Sequence, residues 1–389
     1  MLKSIPIQTL KPNSLLTGTG YLDESFILVT PETPVSEDLL RLLNAWGYKE
    51  IMGQDSLTSK ASVDTEAGEV PPAVFQDGIE DTQAREEVQR FYSFLLEFTH
   101  KLFDTFLKRS TIAIEPLTEQ VKLIMAVLRK NRRFILRLGE LDRNGFSYII
   151  SHSVNVAILS VAIGDTMKLP SHKLIELGMA GLLHELGMFK LPDTFQNANR
   201  ALTEAERRAL SAHPLLGYRT LRELGFPPNV NLAVLEHHEK EDGKGYPQGL
   251  TGDKIAMSAK ILAVASAYDA QIATRPFRPA RTGHASLLEL LKENKKAYDE
   301  QIVRRLVFTL SLYPIGSFVE LKNGSVAVVN DANPNDARHP DVKILTDESK
   351  NPLSDYPIVK LTERQELDIS RVLNSEEIRQ LRADKIIPA

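Results

Sequence analysis

Cysteine is missing from all 389 residues, which rules out both a disulfide framework and a thiolate metal site. Any metal this chain holds must therefore rest on imidazole and carboxylate. A basic surplus is missing too: 47 Lys and Arg stand against 51 Asp and Glu, a formal net charge of −4. That balance excludes a general binder of nucleic-acid polymers, although local clusters can still take a phosphate. No continuous apolar run approaches the roughly 18 residues that a membrane span requires, and the N-terminal MLKSIPIQTLKPNS has no signal-peptide core. A cytoplasmic protein without membrane contact is expected. Aromatics make up only 7%, yet an apolar content of 42% suffices for buried cores. The length suggests two or three domains.

What is present divides in order along the chain. Residues 1–59 mix short β-type runs, such as Phe26 to Thr30, with a helical pattern at Ser36 to Trp46. This reads as a small α/β module without a catalytic constellation, a place for a signalling partner. Residues 60–81 are acidic, polar and interrupted by Pro71 and Pro72, the composition of a flexible linker. Residues 82–143 hold two long helical patterns with Phe91, Leu95 and Phe98 at helical spacing. Their apolar content exceeds what a solitary antiparallel pair can bury. Packing on the next domain, homodimerisation, or both is expected.

Residues 144–314 read as almost entirely helical. One stripe carries Ile149, His152, Val156, Leu159 and Ile163, and another carries Leu174, Leu177, Gly181, His184 and Met188, so both histidines face inward. Thr203 with Glu206 forms a capping-box signature, and Pro214 breaks or restarts the helix at His213. Across 315–364 the period changes to two: Phe318 to Leu321 and Val326 to Val329 flank the hairpin signal Asn323-Gly324, and Asp341 to Leu345 and Ile358 to Leu361 add strands. Residues 365–389 form a tail with a short helix near Ser375 to Lys385. The fold class is mainly α, with an α/β module ahead of the helical domain and a small β appendage behind it.

A polar ring inside an apolar helical pattern is costly unless it bonds something. His152, His184 beside Glu185, and His213 all lie in such patterns, and the pair His237-His238 runs into a glycine-rich turn ending in Tyr246-Pro247. The segments HSVNVAILS at 152, GLLHELG at 181, AHPLLGY at 212, HHEKEDGKGYP at 237, AKILAVASAYDA at 259 and RPFRPA at 275 follow one another in a set order. In that order, residues 144–314 resemble an HD-GYP domain, a branch of the HD metal-dependent phosphohydrolases. His100, His172, His284 and His339 match none of these segments and read as ordinary core or surface histidines.

The resemblance implies an all-helical HD-type catalytic domain holding two divalent ions, iron or manganese. His152, His184 and Glu185 belong to the first ion, and Glu185, His213, His237 and His238 to the second. It further implies hydrolysis of cyclic di-GMP to the linear dinucleotide or GMP. Glu185, His184 and Asp269 take the catalytic roles, and Lys244, Tyr246, Asp269, Arg275 and Arg278 contact the substrate. Three positions depart from the family. Glu185 replaces the aspartate of the His-Asp doublet, Met188 replaces a lysine, and Ser266 replaces the aspartate that completes the first ion's ligands. The second ion site is thereby the more secure, and the alternative reading is an impaired domain that binds cyclic di-GMP as a receptor or scaffold. Tyr148 stands where some relatives carry a glutamate for a third ion, so none is expected.

Overall fold

The computed structural model describes residues 3–10, 15–16, 20–23, 26–29, 35, 40, 49–53, 57–58, 79–139, 141–192, 203–273, 281–293, 296–333 and 336–387. They fall into two compact units, Met1–Ala73 and Val74–Ala389. In the first, β1 (Lys3–Pro6), β2 (Gly20–Asp23), β3 (Phe26–Val29) and β4 (Glu50–Gly53) form an antiparallel sheet in the order β1-β4-β2-β3. Ile7, Leu10, Val35 and Ile51 supply its buried core. The helix expected at 36–46 and the linker expected at 60–81 lie almost entirely outside the described residues.

In the second unit, α1 (Ile79–Arg109) and α2 (Ile114–Ile135) pack on the helices that follow. Tyr92, Leu95, Leu96 and Phe103 of α1 and Leu117, Val121 and Ile124 of α2 share one continuous core with them. α2 presses on α4 (Ser171–Leu183) at Gly178, where a Cβ would lie 2.4 Å from Val121 Cγ1.

The centre of that core is α3 (Tyr148–Thr166), buried continuously from Ile149 to Gly164 rather than along one stripe. A helix apolar on every face belongs inside a protein or a membrane. By length and composition α3 is able to cross a membrane, yet 89% of its most apolar window is covered by the rest of the domain. Ser151, His152, Ser153 and Asn155 break the continuous apolar run that the sequence reading looked for, and total burial carries those polar groups into the core.

Two glycines then set the spacing of the site. A Cβ on Gly181 would lie 2.5 Å from Ala157 Cα, so α4 presses directly on α3. One on Gly187 would lie 1.9 Å from the His213 carbonyl oxygen, so the chain after α4 presses on α6 (His213–Glu223). The expected stripe from Leu174 to Met188 is in fact broken: α4 ends at Leu183, and Leu186–Lys190 is a 3-10 turn. That break places Glu185 between helices instead of along one.

The capping box at α5 (Glu204–Leu210) is made in both directions, with Thr203 Oγ1 accepting from the Glu206 amide at 3.3 Å and Glu206 Oε2 accepting from the Thr203 amide at 2.8 Å. Pro214 sits in the first turn of α6, where its missing N–H costs nothing. The helices α7 (Pro228–Glu236), α8 (Met257–Ile272), α9 (Gly283–Glu293) and α10 (Glu300–Leu310) complete the domain.

Beyond it, β5 (Phe318–Leu321) and β6 (Val326–Asp331) form the hairpin, with Gly324 at φ 91° in the turn. β7 (Asp341–Ile344) and β8 (Ile358–Lys360) extend one edge. The segment after 364, expected as a tail, contributes a fifth strand, β9 (Ile369–Val372), against β5, giving the order β8-β7-β6-β5-β9. Its inward Ile369 is buried while Ser370 and Arg371 are exposed, too short an alternation to read as a strand. The chain then enters α11 (Ser375–Ala383) through an Asn374–Glu377 capping box.

Candidate metal centre

Four segments converge where α3, the end of α4, the start of α6 and the end of α7 meet. His152 lies one turn into α3, His184 caps α4, His213 opens α6 and His237 caps α7. All four rings are at most 3% exposed. Their ligand atoms gather into two overlapping groups, His152–His184–Glu185 and Glu185–His213–His237–His238, each within 4.8 Å. Glu185 is the shared member: its Oε1 lies 4.0 Å from His152 Nε2 and 3.9 Å from His184 Nε2, while its Oε2 lies 3.6 Å from His213 Nε2. The extra methylene of glutamate is accommodated because Glu185 stands at the head of the 3-10 turn, outside regular helix.

The backbone decides which nitrogens face the gap. His184 Nδ1 donates to the Gly181 carbonyl, His213 Nδ1 to Leu210 and His237 Nδ1 to Val234, each at 2.8 Å. A carbonyl accepts only, so each Nδ1 carries the proton and each Nε2 presents a lone pair inward. His213 Nε2 and His237 Nε2 consequently face each other at 3.3 Å, close enough to be bridged by one shared positive charge. His184 Nε2 is buried and has no hydrogen-bond partner. Burial pushes the His184 ring down to about 4 and His238 down to about 3, and drives His237 well below its ordinary value. Burial alone would raise Glu185, but the surrounding imidazoles, His213 foremost, hold it down to about 2. At neutral pH these groups are three neutral imidazoles and a carboxylate. Converging ring nitrogens, one of them orphaned, and a shared carboxylate suit a divalent cation.

Asp269, expected to take a catalytic role and to contact substrate, is turned toward His152 and Asn155. It is 1% exposed, and its Oδ2 accepts from His152 Nδ1 at 2.6 Å while its Oδ1 accepts from Asn155 Nδ2 at 2.7 Å. The three-residue spacing from Ser266 does put both on one face of α8. They grip opposite edges of a single ring, however, with Ser266 Oγ 3.3 Å from His152 Nε2. The pairing continues outward, since the Tyr92 hydroxyl of α1 donates to Asn155 Oδ1 at 2.8 Å, and burial holds Tyr92 in its protonated form. Tyr148 stacks on His152 with ring centroids 5.0 Å apart.

Asn155 and Tyr92 were not singled out from the sequence. Asn155 is three residues after His152 and thus on its face, a signal that was there to be used. Asn155→Ala is expected to strand buried groups on Asp269 and Tyr92 and to lower stability by about 1 to 3 kcal/mol. Tyr92→Phe, which removes only the outermost bond, is expected to cost less. Urea denaturation monitored by circular dichroism measures both, and equal midpoints for Asn155→Ala and wild type would show the chain of bonds to be idle.

The turn after α7 is built around Glu239, a second residue the sequence reading passed over. It is 3% exposed, and its two oxygens accept from the amides of Gln248 at 2.6 Å and Leu250 at 2.9 Å. Gly245 is required there, because a Cβ would lie 2.4 Å from Glu239 Cα and from the Lys240 nitrogen. This folds Tyr246, in a cis peptide bond with Pro247, over His238 at 4.7 Å between ring centroids. Lys244 is 83% exposed at its side chain and lies 3.7 Å from Asp242. Met188 is 8% exposed in the 3-10 turn, and Lys190 leaves by another face to sit 5.0 Å from the Phe106 ring centroid. Arg275 and Arg278 lie outside the described residues. Among the histidines read as ordinary, His100 packs on Phe146, His284 donates to the Leu312 carbonyl and His339 pairs with Asp336.

The sequence matches the HD domain family over residues 131–302 and a KOW domain associated with the HD domain over residues 318–381. Among curated proteins it is similar to the cyclic di-GMP phosphodiesterase PdeB of Borreliella burgdorferi. The two are 26% identical over 325 residues, 82% of this chain and 83% of that one. It is also similar to the cyclic di-GMP phosphodiesterase PA4108 of Pseudomonas aeruginosa, 33% identical over 199 residues, 51% of this chain and 48% of that one. The chain thus spans about half the length of the second relative. Among solved structures, Bd1817, an HDG"Y"P protein from Bdellovibrio bacteriovorus, aligns with 79% of this chain and 98% of that one at 14% identity and a TM-score of 0.45.

Proposed function

We propose that this chain, a member of the HD-GYP family whose residues 131–302 match an HD domain, is a metal-dependent phosphodiesterase opening cyclic di-GMP to the linear dinucleotide or GMP. The observation that carries this reading is the convergence of His213 Nε2 and His237 Nε2, 3.3 Å apart, beside the Glu185 carboxylate. Ring nitrogens converging on a carboxylate in a buried site are the donor set a divalent cation takes. In this reading His152, His184 and Glu185 hold one ion and Glu185, His213, His237 and His238 the other, with iron or manganese suited to the nitrogen and oxygen donors. A divalent cation so held supplies Lewis acidity to a phosphoryl oxygen and offsets its charge.

The chain's own residues do the rest. The backbone carbonyls fix the tautomers, Asp269 fixes the His152 ring, and Tyr246 on the folded turn walls the second group of ligands. Glu185, ionised at any physiological pH, orients water by accepting its hydrogen bond and does not serve as an acid.

A second reading, a receptor that binds cyclic di-GMP without turning it over, is favoured by one contact. The Ser266 hydroxyl faces His152 Nε2 at 3.3 Å, the place where a ligating carboxylate would complete the first ion's shell. The deciding measurement incubates the full chain with cyclic di-GMP and manganese or iron(II), with and without excess chelator, and separates the nucleotides by chromatography. Cation-dependent appearance of linear dinucleotide or GMP is the expected result. Intact cyclic di-GMP in a complex that calorimetry shows to form would make the chain a receptor.

A further inference from the structure

The first group of proposed ligands is held from outside the residues that match the HD domain. His152, Asn155 and Asp269 lie within residues 131–302, but Tyr92, the outermost member of their hydrogen-bonded row, comes from α1. The row Tyr92–Asn155–Asp269–His152 has contacts of 2.8, 2.7 and 2.6 Å in that order, crossing from α1 to α3, on to α8 and back to α3. None of the four residues is more than 3% exposed. Buried to that degree, a member that loses its partner has no solvent to turn to.

Donor and acceptor chemistry fixes the direction of the row. A carboxylate accepts only, so Asp269 turns the amide nitrogen of Asn155 toward one of its oxygens and the Nδ1 proton of His152 toward the other. With its nitrogen committed, Asn155 presents Oδ1 to the Tyr92 hydroxyl, which burial keeps protonated and which donates. Each bond thus selects the next, and the last one leaves His152 Nε2 to face Glu185 Oε1, 4.0 Å away. Without the Tyr92 hydroxyl, Asn155 Oδ1 is buried without a donor, a cost the side chain escapes only by turning away from Asp269. Asp269 then loses a donor, and His152 loses the fixed carboxylate that sets its tautomer and tilt.

We propose that Tyr92 is a positioning residue for the first metal site: through Asn155 and Asp269 it sets the tautomer and orientation of the His152 ring, which makes α1 part of the metal centre rather than packing laid against it. A carboxylate on the far nitrogen of a metal-ligating imidazole fixes the ring and raises its basicity. Here that carboxylate is itself anchored by a helix that precedes the HD match. A displacement of α1 against α3 would therefore act on His152 without touching any ligand. The proposal rests on the reading that His152, His184 and Glu185 hold an ion.

Two measurements on the full chain test it, with Tyr92→Phe removing the hydroxyl and keeping the ring that fills the core. In protein stripped of cations, long-range proton–nitrogen correlation spectra report the imidazole tautomers, the His152 signals being assigned by their loss in His152→Gln. His152 is expected to be protonated at Nδ1 in wild type and to become a mixture of tautomers in Tyr92→Phe. Manganese titration followed by electron paramagnetic resonance then reads the ions. Tyr92→Phe should weaken one ion about tenfold and spare the other, and Asn155→Ala should weaken the same ion further, within the roughly 10- to 100-fold that outer partners of a ligand contribute. Changing both should do no more than Asn155→Ala alone, because they act along one row. Thr99→Val is the control: it takes from α1 another buried hydroxyl, bonded to the Leu95 carbonyl at 2.8 Å, and should lower stability while leaving tautomer and manganese affinity as they are. Manganese bound equally by wild type and Tyr92→Phe overturns the proposal alone, as does an unchanged His152 tautomer or an equal loss of affinity in Thr99→Val. A wild type that takes up no manganese overturns the metal reading, and the proposal falls with it.

Discussion

Replacing His237 by alanine is expected to weaken metal binding by about a hundredfold or more and to abolish most cation-dependent hydrolysis. The loss of an outer partner of a metal ligand already costs 10- to 100-fold, and His237 supplies a ligand atom itself in the proposed second site. Its behaviour without metal should differ sharply. In the cation-free protein truncation removes a ring whose Nδ1 donates to the Val234 carbonyl and whose Nε2 lies 3.3 Å from His213 Nε2, leaving a small cavity. The variant's melting temperature under chelator should therefore fall by a few degrees at most. Adding manganese should then raise the wild-type melting temperature far more than the variant's, since a hundredfold difference in affinity corresponds to about 2.7 kcal/mol of ligand-linked stability at saturating cation. Differential scanning fluorimetry with and without chelator, alongside elemental analysis, separates the two states. Equal manganese-induced shifts in both proteins would remove His237 from the metal centre.

The ingredients of this centre were legible because metal chemistry restricts residue type: without cysteine, only histidine and carboxylate remained, and the ordered segments named which ones. Their arrangement was less legible. Nothing in the string HELGMFK shows that regular helix stops at Leu183, yet that stop is what lets Glu185 reach His152, His184 and His213 together. Helical spacing correctly put Ser266 and Asp269 on one face, but it carries no information about which edge of the His152 ring each would meet. The Tyr92–Asn155 bond joins residues 63 apart in sequence and exists only because α1 lies against α3. Local signals fared better where the cause was local: the capping box at Thr203, the restart at Pro214 and the turn at Gly324 need no tertiary contact to be specified. β9 failed the same test, its pairing with β5 being long-range and its sequence too short to show a period.

The exchange Ser266→Asp separates the proposed phosphodiesterase from the receptor reading. Ser266 is 8% exposed, with its hydroxyl 3.3 Å from the His152 nitrogen that faces Glu185. An aspartate there places a second carboxylate beside the first group of ligands, completing His152, His184 and Glu185 with an anionic fourth member. Without cation the change is unfavourable, since a buried carboxylate near Glu185 and Asp269 carries a desolvation cost of several kcal/mol that no positive partner offsets. With cation the same charge becomes a ligand. The expected pattern is a lower melting temperature under chelator, an ion content rising toward two per chain on reconstitution, and hydrolysis of cyclic di-GMP at least about tenfold faster, a difference of roughly 1.4 kcal/mol in barrier. The gain should be larger when Met188→Lys is added, because Met188 is apolar and nearly buried in the 3-10 turn and offers the phosphate no charge. A neutral ion count in Ser266→Asp combined with unchanged turnover would mean that His152, held by Asp269 on one edge and Ser266 on the other, belongs to the scaffold of the site and that the second group of ligands acts alone.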